Sequence, residues 1–442
     1  MLAFCLGLLW AFSFFLHRQV SKVWAFSVKI LLYSLNFTPE PVGIGKYSGE
    51  WALWLAARGH SVHVVTAPPY FPQWRVNSQY RNSYTVDELQ GVRVSRCPLW
   101  IPRRPTSITR LIHLASFALS SLGPLLALRR WRPDVVITVA PAFFCAPGAL
   151  LFGRLCGRCT TTWLHIQDFE LDAAFELGML KGKWLRGLAE AWESRIFRGF
   201  KRVSSISTAM VQRLEFKGVA SSRCLLLPNW VDLETIRPQQ DSTRLQNPYR
   251  QELGIAPDQL VLMYSGSMNK KQGLELLVKA IAQLADMPQL VWLLAGEGPT
   301  KSDLVRATEG FPQVIHLPLQ PAESMNDWLN AADIHLLPQK AGAADLVLPS
   351  KLLGMLASGR PVVATSTPGS ELAELASEAG ACTAPGDADA FSDALRQLIT
   401  DPDQRLMAGK RARKLAEERF GKDAVLKRFE QQLLSLVEFR QV

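Results

Sequence analysis

The chain has 442 residues, of which 48% are hydrophobic and 20% are charged. This length allows two domains, and this composition excludes a disordered or low-complexity protein. The formal net charge of +10 is unevenly spread: residues 1–200 carry 22 Lys and Arg against 11 Asp and Glu, whereas residues 201–442 carry 27 against 28. We therefore expect the N-terminal half to meet an anionic partner, such as an anionic membrane surface or a lipid diphosphate. Nucleic acid is not expected, because no zinc-finger, RNA-binding or basic-zipper signature accompanies the charge.

The seven cysteines have no disulfide-like rhythm, and their odd number is typical of a reduced, cytoplasmic protein. Cys156 and Cys159 are spaced as Cys-x-x-Cys. A zinc site would need a second pair, and a redox pair would open a helix after a strand, whereas this pair precedes a strand-like run. We interpret both as packing residues and expect no metal site.

An apolar run from Leu2 to Leu16 lies at the start of the chain. It is shorter than the roughly 20 residues of a membrane-spanning helix, and it lacks the basic start and small-residue cleavage site of a signal peptide. A short membrane anchor, a packed helix and an extension outside the fold remain open. The extension is favoured, because Val28–Tyr33 already has the pattern of a first strand.

Short apolar runs alternate with longer helical patterns, which is typical of parallel sheets with crossover helices. The first half predicts a helix over Tyr47–Arg58, ended by Gly59, and six strands: Ile30–Ser34, Ser61–Thr66, Asp134–Val139, Thr161–Ile166, Val203–Ser207 and Leu225–Leu227. The second half predicts helices over Leu274–Ala285 and Ala388–Ile399 and five strands: Leu260–Ser265, Leu290–Ala295, Val314–Leu317, Ile334–Leu337 and Pro361–Thr365.

Two such series predict an α/β protein of two doubly wound, Rossmann-like domains facing a central cleft, with ligands at the carboxyl ends of the strands. The N-terminal domain should span residues 28–232 and the C-terminal domain residues 259–420. Residues 233–258 between them are polar and irregular, which suits a linker. Residues 1–27 form the extension, and residues 421–442 are expected to be a helix that packs back toward the N-terminal domain.

A glycine-containing segment, Gly43-Ile44-Gly45-Lys46, follows the first predicted strand. Glycine lets a backbone approach a ligand closely, and a helix N-terminus favours an anion, so Gly45 is a candidate phosphate donor. A tight turn without ligand is the alternative. Gly49 falls one position too late for a nicotinamide-dinucleotide fingerprint.

Three further segments follow predicted strands in positions that suit ligands. Gly266 to Gly273 is a glycine turn with Lys270 and Lys271, which can hold a diphosphate or can simply be a solvated loop. The triplet Pro349-Ser350-Lys351 can cap a helix whose N-terminus again suits phosphate. His165 and Asp168, followed by Glu170 and Asp172, are placed for acid–base or acceptor-binding work, with a core histidine and a solvated helix start as alternatives.

Four segments have a characteristic order and spacing: Asn229-Trp230-Val231-Asp232, Ala295-Gly296-Glu297-Gly298-Pro299, Ala332-Asp333, and Ala357-Ser358-Gly359-Arg360-Pro361-Val362-Val363-Ala364-Thr365. Through these segments the chain resembles family 4 retaining glycosyltransferases over roughly Val28 to Leu436. The resemblance is closer to the exopolysaccharide enzymes of colanic-acid type. It is carried by Thr38-Pro39-Glu40 with Gly43–Tyr47, by Ala67–Trp74, by Leu164–Asp168, by Lys271–Glu275 and by Gln339–Asp345.

This resemblance implies a GT-B fold, retention at the anomeric carbon and no obligatory metal or cofactor. A nucleoside diphosphate sugar would be the co-substrate in the C-terminal domain, and a lipid-linked oligosaccharide would be the acceptor in the N-terminal domain. We expect Lys271, with Lys270 as its substitute, to neutralise the leaving diphosphate. The remaining candidate site residues are, for the donor, Gly45, Gly266, Gly273, Lys340, Pro349, Ser350 and Lys351, and, for the sugars, Asp345, His165 and Asp168.

The chain departs from the family in one respect: the family carries two glutamates, eight positions apart, around the donor. They fall on Leu346 and Gly354, and neither position is acidic here. Asp345 lies beside the first position and is expected to serve in its place, and backbone groups near Leu317–Gln320 to hold the nucleoside. The departure keeps an inactive binding protein as an alternative, and a nucleotide-sugar epimerase of the same fold is another.

Residues 107–128 form a long apolar helical pattern, interrupted by Pro124. A helix with flanking basic residues suits an anionic membrane surface, where apolar burial and charge attraction add. A core helix is the alternative, since Pro124 is expected to break a long insertion. We expect docking and a peripheral position at the inner face of the cell membrane, with contributions from six arginines: Arg103, Arg104, Arg110, Arg129, Arg130 and Arg132.

Overall fold

The computed structural model describes residues 27–41, 43–104, 106–140, 144–157, 160–169, 183–341 and 348–438. Several sequence-based predictions lie outside these ranges. They concern the apolar segment Leu2–Leu16, Cys159, Glu170, Asp172, and Asp345 with its neighbour Leu346.

The N-terminal domain is built on an eight-stranded sheet with the strand order β3-β4-β2-β1-β5-β6-β7-β8. Neighbouring strands are parallel except for the β3–β4 hairpin. The predicted strands are confirmed to within two residues. The strands are β1 Lys29–Ser34, β2 Ser61–Thr66, β3 Thr85–Leu89, β4 Val92–Arg96, β5 Val135–Ala140, β6 Thr161–Ile166, β7 Arg202–Ser205 and β8 Cys224–Leu226.

The β3–β4 hairpin is absent from the sequence-based prediction, although its turn carries a signal. Gln90 and Gly91 both have positive φ, 47° and 81°. Two positive-φ residues between alternating strands make the tight hairpin turn that matches strand twist. Only one face of the hairpin is apolar, so its strands lack the continuous hydrophobic run of the buried strands.

Helices cover both faces of this sheet. Helix α1 and a C-terminal helix pack on one face, and four helices pack on the other. Helix α1 begins at Gly43, four residues before the predicted start, so Gly43 and Gly45 form its first turn and not a separate loop. The helices of this domain are α1 Gly43–Ala57, α2 Ser107–Ala127, α3 Cys145–Cys156, α4 Lys183–Gly199 and α5 Thr208–Phe216.

The C-terminal domain has a six-stranded, fully parallel sheet with the order β11-β10-β9-β12-β13-β14. Its strands are β9 Leu260–Ser265, β10 Leu290–Ala295, β11 Val314–Leu317, β12 Ile334–Leu337, β13 Val362–Thr365 and β14 Gly380–Thr383. Its helices are α6 Pro248–Glu252, α7 Glu275–Gln283, α8 Lys301–Thr308, α9 Met325–Ala331, α10 Ser350–Ala357, α11 Glu371–Ala379, α12 Ala388–Thr400 and α13 Pro402–Leu415. The sheet strands β9, β10 and β12 are almost continuously apolar because helices cover both sides.

The segment predicted as a linker, residues 233–258, is part of the C-terminal domain. It contains α6, and Ile255 joins the core beside β9 and β10. Arg250 is 1% exposed, and its Nη2 donates to Asp333 Oδ2 at 2.5 Å. The prediction of a linker was wrong because the polar residues of this segment find buried partners that lie some eighty positions away.

Helix α14, Lys422–Glu438, returns to the N-terminal domain and joins its core through Val425, Leu426 and Phe429. The Phe429 ring packs on Trp51 of α1 and Trp163 of β6. The two places where the chain passes between domains lie side by side. Val231 N donates to Phe420 O at 2.9 Å, and Lys422 N donates to Val231 O at 3.0 Å. Within the described ranges, the chain crosses between the two sheets at this junction.

Candidate functional site

The strand order of the C-terminal sheet reverses between β9 and β12, which places a crevice beyond their carboxyl ends. The Gly266–Gly273 loop follows β9, and residues 338–341 follow β12. These loops touch: Lys340 N donates to Lys271 O at 3.0 Å, and a Cβ on Gly273 would lie 3.4 Å from Lys340. Two of the sequence-predicted donor segments, the Gly266–Gly273 loop and Lys340, therefore meet, whereas Gly45 lies in α1 of the N-terminal domain.

The Gly266–Gly273 loop lies directly on the backbone that leaves β10. A Cβ on Gly296 would lie 1.9 Å from Gly266 O, and one on Gly298 would lie 2.1 Å from Met268 O. Both positions must be glycine for the two backbones to pack this closely. Asn269 Oδ1 accepts from Lys271 N at 3.0 Å and caps the turn that follows. The loop is thus fixed in shape on all sides except the one facing the crevice.

Lys351, in the first turn of α10, reaches this loop from eighty residues away. Its Nζ donates to Gln272 Oε1 at 2.7 Å and lies 4.3 Å from the centroid of the Tyr264 ring. A Cβ on Gly266 would lie 3.6 Å from the same nitrogen. Burial lowers the pKa of Lys351 to about 7. Among the described residues no carboxylate pairs with this ammonium, so its partners beside the Gly266–Gly273 loop are neutral.

The other lysines of the site are placed differently. Lys270 and Lys271 are exposed, and no described carboxylate lies within ion-pair distance of either. Lys340 pairs with Glu275 at 2.6 Å. Pro349 occupies the N-cap position of α10, and neither it nor Ser350 caps the helix with a side-chain hydrogen bond, contrary to the expectation from sequence. Lys351 is therefore the lysine that the fold itself directs at the loop.

His165, at the end of β6, lies in the core of the N-terminal domain. It is 1% exposed and its ring packs edge-on against Trp51, with centroids 5.4 Å apart. Its Nδ1 hydrogen-bonds with Ser204 Oγ at 2.9 Å, and Gln167 Nε2 donates to its Nε2 at 3.2 Å. Burial lowers its pKa to about 3, so the ring is neutral. Strand alternation turns this side chain toward α1, which corresponds to the alternative of a core histidine. Asp168, three residues later, is exposed at the carboxyl end of the strand.

Glu40 is a functional candidate that the sequence-based list of site residues left out. Its carboxylate is 4% exposed, and Oε1 accepts from the N–H groups of Tyr70 and Phe71, both at 3.0 Å. A Cβ on Gly45 would lie 2.7 Å from Oε2, so Gly45 packs against this carboxylate. Burial raises the pKa of Glu40, and its hydrogen bonds oppose the shift. Glu40 thus joins the loop after β1 to the loop after β2. In the sequence, the signal that could have identified Glu40 is an acidic residue between two prolines, just before the glycine segment.

Comparisons with known proteins match both domains of the chain. Residues 42–230 match the family model described as "Glycosyl transferase 4-like domain", and residues 259–401 match "Glycosyl transferases group 1". Over 410 residues the chain is 39% identical to "Putative colanic acid biosynthesis glycosyl transferase WcaI" of Escherichia coli K12, covering 91% of this chain and 98% of that relative.

Two solved structures share the fold. Sucrose-phosphate synthase from Thermosynechococcus elongatus superposes with a TM-score of 0.70 at 18% identity, covering 92% of this chain and 98% of that one. HepE from Anabaena, solved with UDP and glucose, gives a TM-score of 0.66 at 14% identity, covering 92% and 100%. At these identities the likeness concerns the fold alone.

Proposed function

This chain belongs to the glycosyltransferase family that joins a 4-like domain to a group 1 domain in the GT-B fold, and on that premise we propose a substrate class and a mechanism for it. It moves a sugar from a nucleoside diphosphate sugar to a lipid-linked saccharide in exopolysaccharide assembly. Support for the pathway comes from the relative named for colanic acid biosynthesis. Support for the donor comes from HepE, which was solved with UDP and glucose.

The observation that carries this proposal is the convergence of Lys351 and the Gly266–Gly273 loop. In transfer, the acceptor oxygen forms a bond to the anomeric carbon while the bond from that carbon to the diphosphate breaks. The departing oxygen keeps the electron pair, its negative charge must be stabilised, and the diphosphate takes up the proton that the acceptor hydroxyl loses. Lys351 meets that charge, with Lys270 and Lys271 at its exposed rim. Retention follows if the acceptor approaches on the face that the diphosphate leaves, and neither a metal nor a cofactor is required.

At Gly354, where the family carries its second glutamate, the packing leaves little room for a side chain. A Cβ at this position would lie 3.1 Å from Leu329 Cδ1, so α10 packs closely on α9 here. A glutamate would have to displace that contact. We infer that ribose recognition has moved to the backbone near Leu317–Gln320, which follows β11 on the same edge of the sheet.

Incubation of the purified protein with UDP- and GDP-sugars tests the reaction type. With membrane-extracted lipid-linked saccharides present, and a chelator in the buffer, we expect labelled sugar to enter the lipid fraction. Interconversion of the donor sugar without acceptor would instead identify an epimerase, and nucleotide binding without turnover would identify a binding protein. Activity that a divalent ion restores after chelation would contradict the metal-independent mechanism.

Helix α2 supports a membrane-bound setting for this reaction. Within the described ranges, Ile108–Trp131 is the one helix long and apolar enough, by length and composition, to cross a membrane, and 22% of its most apolar stretch is buried. The helix runs through Pro124 without a break, contrary to the expectation from sequence. Phe117 and Leu125 are fully buried against the sheet, whereas Ile108 and Leu119 are 71% and 75% exposed. A helix held along one side in this way would lie on a bilayer and not cross it.

Neighbouring helices extend this apolar surface. Helix α3 packs between α2 and α4, and all three cover the same face of the sheet. We define the docking face as the exposed large apolar side chains of these helices: Ile108, Leu111, Ile112, Leu119, Leu151, Leu155, Trp184, Leu188 and Trp192. Tryptophan favours the membrane–water interface, and exposed arginines flank the helices. The proposed location is accordingly the inner, cytoplasmic surface of the cell membrane.

Vesicle binding tests this surface. A shortened chain that starts at Ser27 should bind anionic vesicles, since it keeps the whole docking face and lacks the apolar N-terminal run. Changing Arg103, Arg104, Arg129 and Arg130 to Gln should weaken binding, because each basic residue near such a surface contributes about 1 kcal/mol. The loss should be larger at low salt, where charges are less screened. Equal binding by the shortened wild type and the variant, or no binding by either, would place docking elsewhere.

A further inference from the structure

The loop after β2, residues 67–75, is held rigidly at the carboxyl edge of the N-terminal sheet. Glu40 accepts from two of its N–H groups, and Arg96 donates to Ala67 O at 3.2 Å. Tyr70, 4% exposed, hydrogen-bonds through its hydroxyl with His113 Nε2 at 2.9 Å. Since His113 belongs to α2, this hydrogen bond joins the loop to the helix of the docking face.

Trp74 is the unusual residue of this loop. Its φ is 52°, a left-handed conformation that bulky side chains rarely adopt. Its half-buried ring lies 5.9 Å from the Tyr70 ring and 5.3 Å from the His113 ring, centroid to centroid. Backbone strain of this kind persists where the surroundings impose it, and it is concentrated at ligand-binding positions.

Arg110 of α2 also lies against the Trp74 ring. Its guanidinium carbon is 5.5 Å from the centroid of the Trp74 ring, a cation–π arrangement that fixes the direction of a long side chain. The side chain is exposed, and within the described part of the chain no carboxylate lies within ion-pair distance of it. A guanidinium that is oriented but not neutralised is suited to bind a phosphate through two hydrogen bonds.

The position of Arg110 on α2 determines where it lies with respect to the docking face and the cleft. At 100° per residue, Ile108, Ile112 and Leu119 share one side of the helix, and Arg110 lies on the opposite side with the buried Phe117. Arg110 stays exposed because α2 begins at the carboxyl edge of the sheet, beyond the core that covers Phe117. A group bound by Arg110 would therefore lie between the lipid-facing side of α2 and the catalytic cleft.

We propose that Arg110, oriented by Trp74 and the loop that Glu40 holds, binds the diphosphate of the lipid-linked acceptor where that lipid leaves the membrane. The proposal rests on the proposed function, since it needs an acceptor that is carried by a lipid. Arg110 is the binding residue, and Trp74 is a positioning residue. The site recognises a diphosphate, and its place beside the docking face selects one that is attached to a lipid over one free in solution.

The test uses the full chain and vesicles of two compositions with equal charge. One set carries a polyprenyl diphosphate in phosphatidylcholine, and the other carries phosphatidylglycerol in phosphatidylcholine. The wild type should prefer the diphosphate vesicles by roughly tenfold, the change in affinity that one charge-assisted hydrogen-bonding group typically gives. Arg110→Gln should remove the preference, whereas Arg103→Gln, the matched loss of an exposed arginine, should weaken both bindings equally.

Two further variants separate orientation from folding. Trp74→Phe should keep the preference because it keeps an aromatic face, and Trp74→Ala should lose most of it while binding to phosphatidylglycerol vesicles is unchanged. A wild type without preference, or an Arg110→Gln variant that keeps it, would overturn the proposal. Soluble inorganic pyrophosphate that competes as strongly as the lipid would overturn the assignment to a lipid-borne group. Calorimetric binding of UDP or GDP, measured in parallel, reports the proposed transferase function independently of this outcome.

Discussion

Replacing Lys351 by methionine is expected to lower turnover by roughly a hundredfold or more, the usual effect of removing one group that stabilises transition-state charge. Methionine keeps most of the side-chain volume, so the packing on Tyr264 should persist and the melting temperature should change little. Among the residues that the structure describes, the ammonium has neutral partners, Gln272 and the Tyr264 ring, and its charge is therefore available to the leaving diphosphate. Turnover with saturating donor and acceptor measures the effect.

The matched controls are Lys270→Met and Lys271→Met, which remove exposed ammonium groups from the same loop. We expect smaller losses from each, because an exposed charge is screened by water. A large loss in Lys271→Met together with near-normal turnover in Lys351→Met would show that Lys271, the choice from sequence, stabilises the leaving diphosphate, and that Lys351, the choice from the fold, does not.

The same residue predicts a pH dependence. Because burial lowers the pKa of Lys351 to about 7, the free enzyme loses the ammonium proton as the pH rises through that value. Only the protonated form can meet the diphosphate, so kcat/KM for the donor should fall above about pH 7, as kcat/KM reports the free enzyme. In Lys351→Arg this limb should disappear, since a guanidinium stays charged. An unchanged alkaline limb in that variant would assign the titration to another group.

Replacing Asp333 by asparagine is expected to cost about 3–5 kcal/mol of folding free energy, as for other buried ion pairs that lose one partner. One carboxylate oxygen, Asp333 Oδ2, accepts from Arg244 at 2.6 Å, from Arg250 at 2.5 Å and from Val261 N at 2.7 Å. Arg250 is 1% exposed, so its charge would remain buried without an anion. The midpoint of urea unfolding measures the change.

Asp303→Asn provides the matched control, because Asp303 pairs with Arg306 on the surface, where both side chains are more than two-thirds exposed. An exposed pair of this kind contributes less than about 1 kcal/mol. If Asp333→Asn unfolds at the same urea concentration as this control, the buried ion pairs do not hold residues 233–258 on the C-terminal domain.

Periodicity along the chain was sufficient to predict the buried strands of both sheets, but it missed β3, β4 and β14. Strands β9 and β10 match their predicted bounds residue for residue, because a strand covered on both faces is a continuous apolar run. Gly59 ends the turn after α1 with a φ of 89°, as its place after a helical pattern predicted. Where the pattern was weak the prediction failed: the half-exposed β3–β4 hairpin was missed, and the polar residues around Arg250 were taken for a linker.

In the candidate site, too, the prediction from sequence succeeded where the signal is local in the chain. The sequence by itself identified the glycine loop and its lysines, because a Gly-rich turn between strand and helix is a local pattern. Only the tertiary structure decided that Lys351, and not Lys271, enters a neutral pocket beside Gly266, since that contact joins segments eighty residues apart. It also decided that His165 lies in the core and that Glu40 joins two loops. Residue type and spacing determine which groups are present, whereas burial and charge partners, which set pKa and reactivity, come from segments distant in the chain.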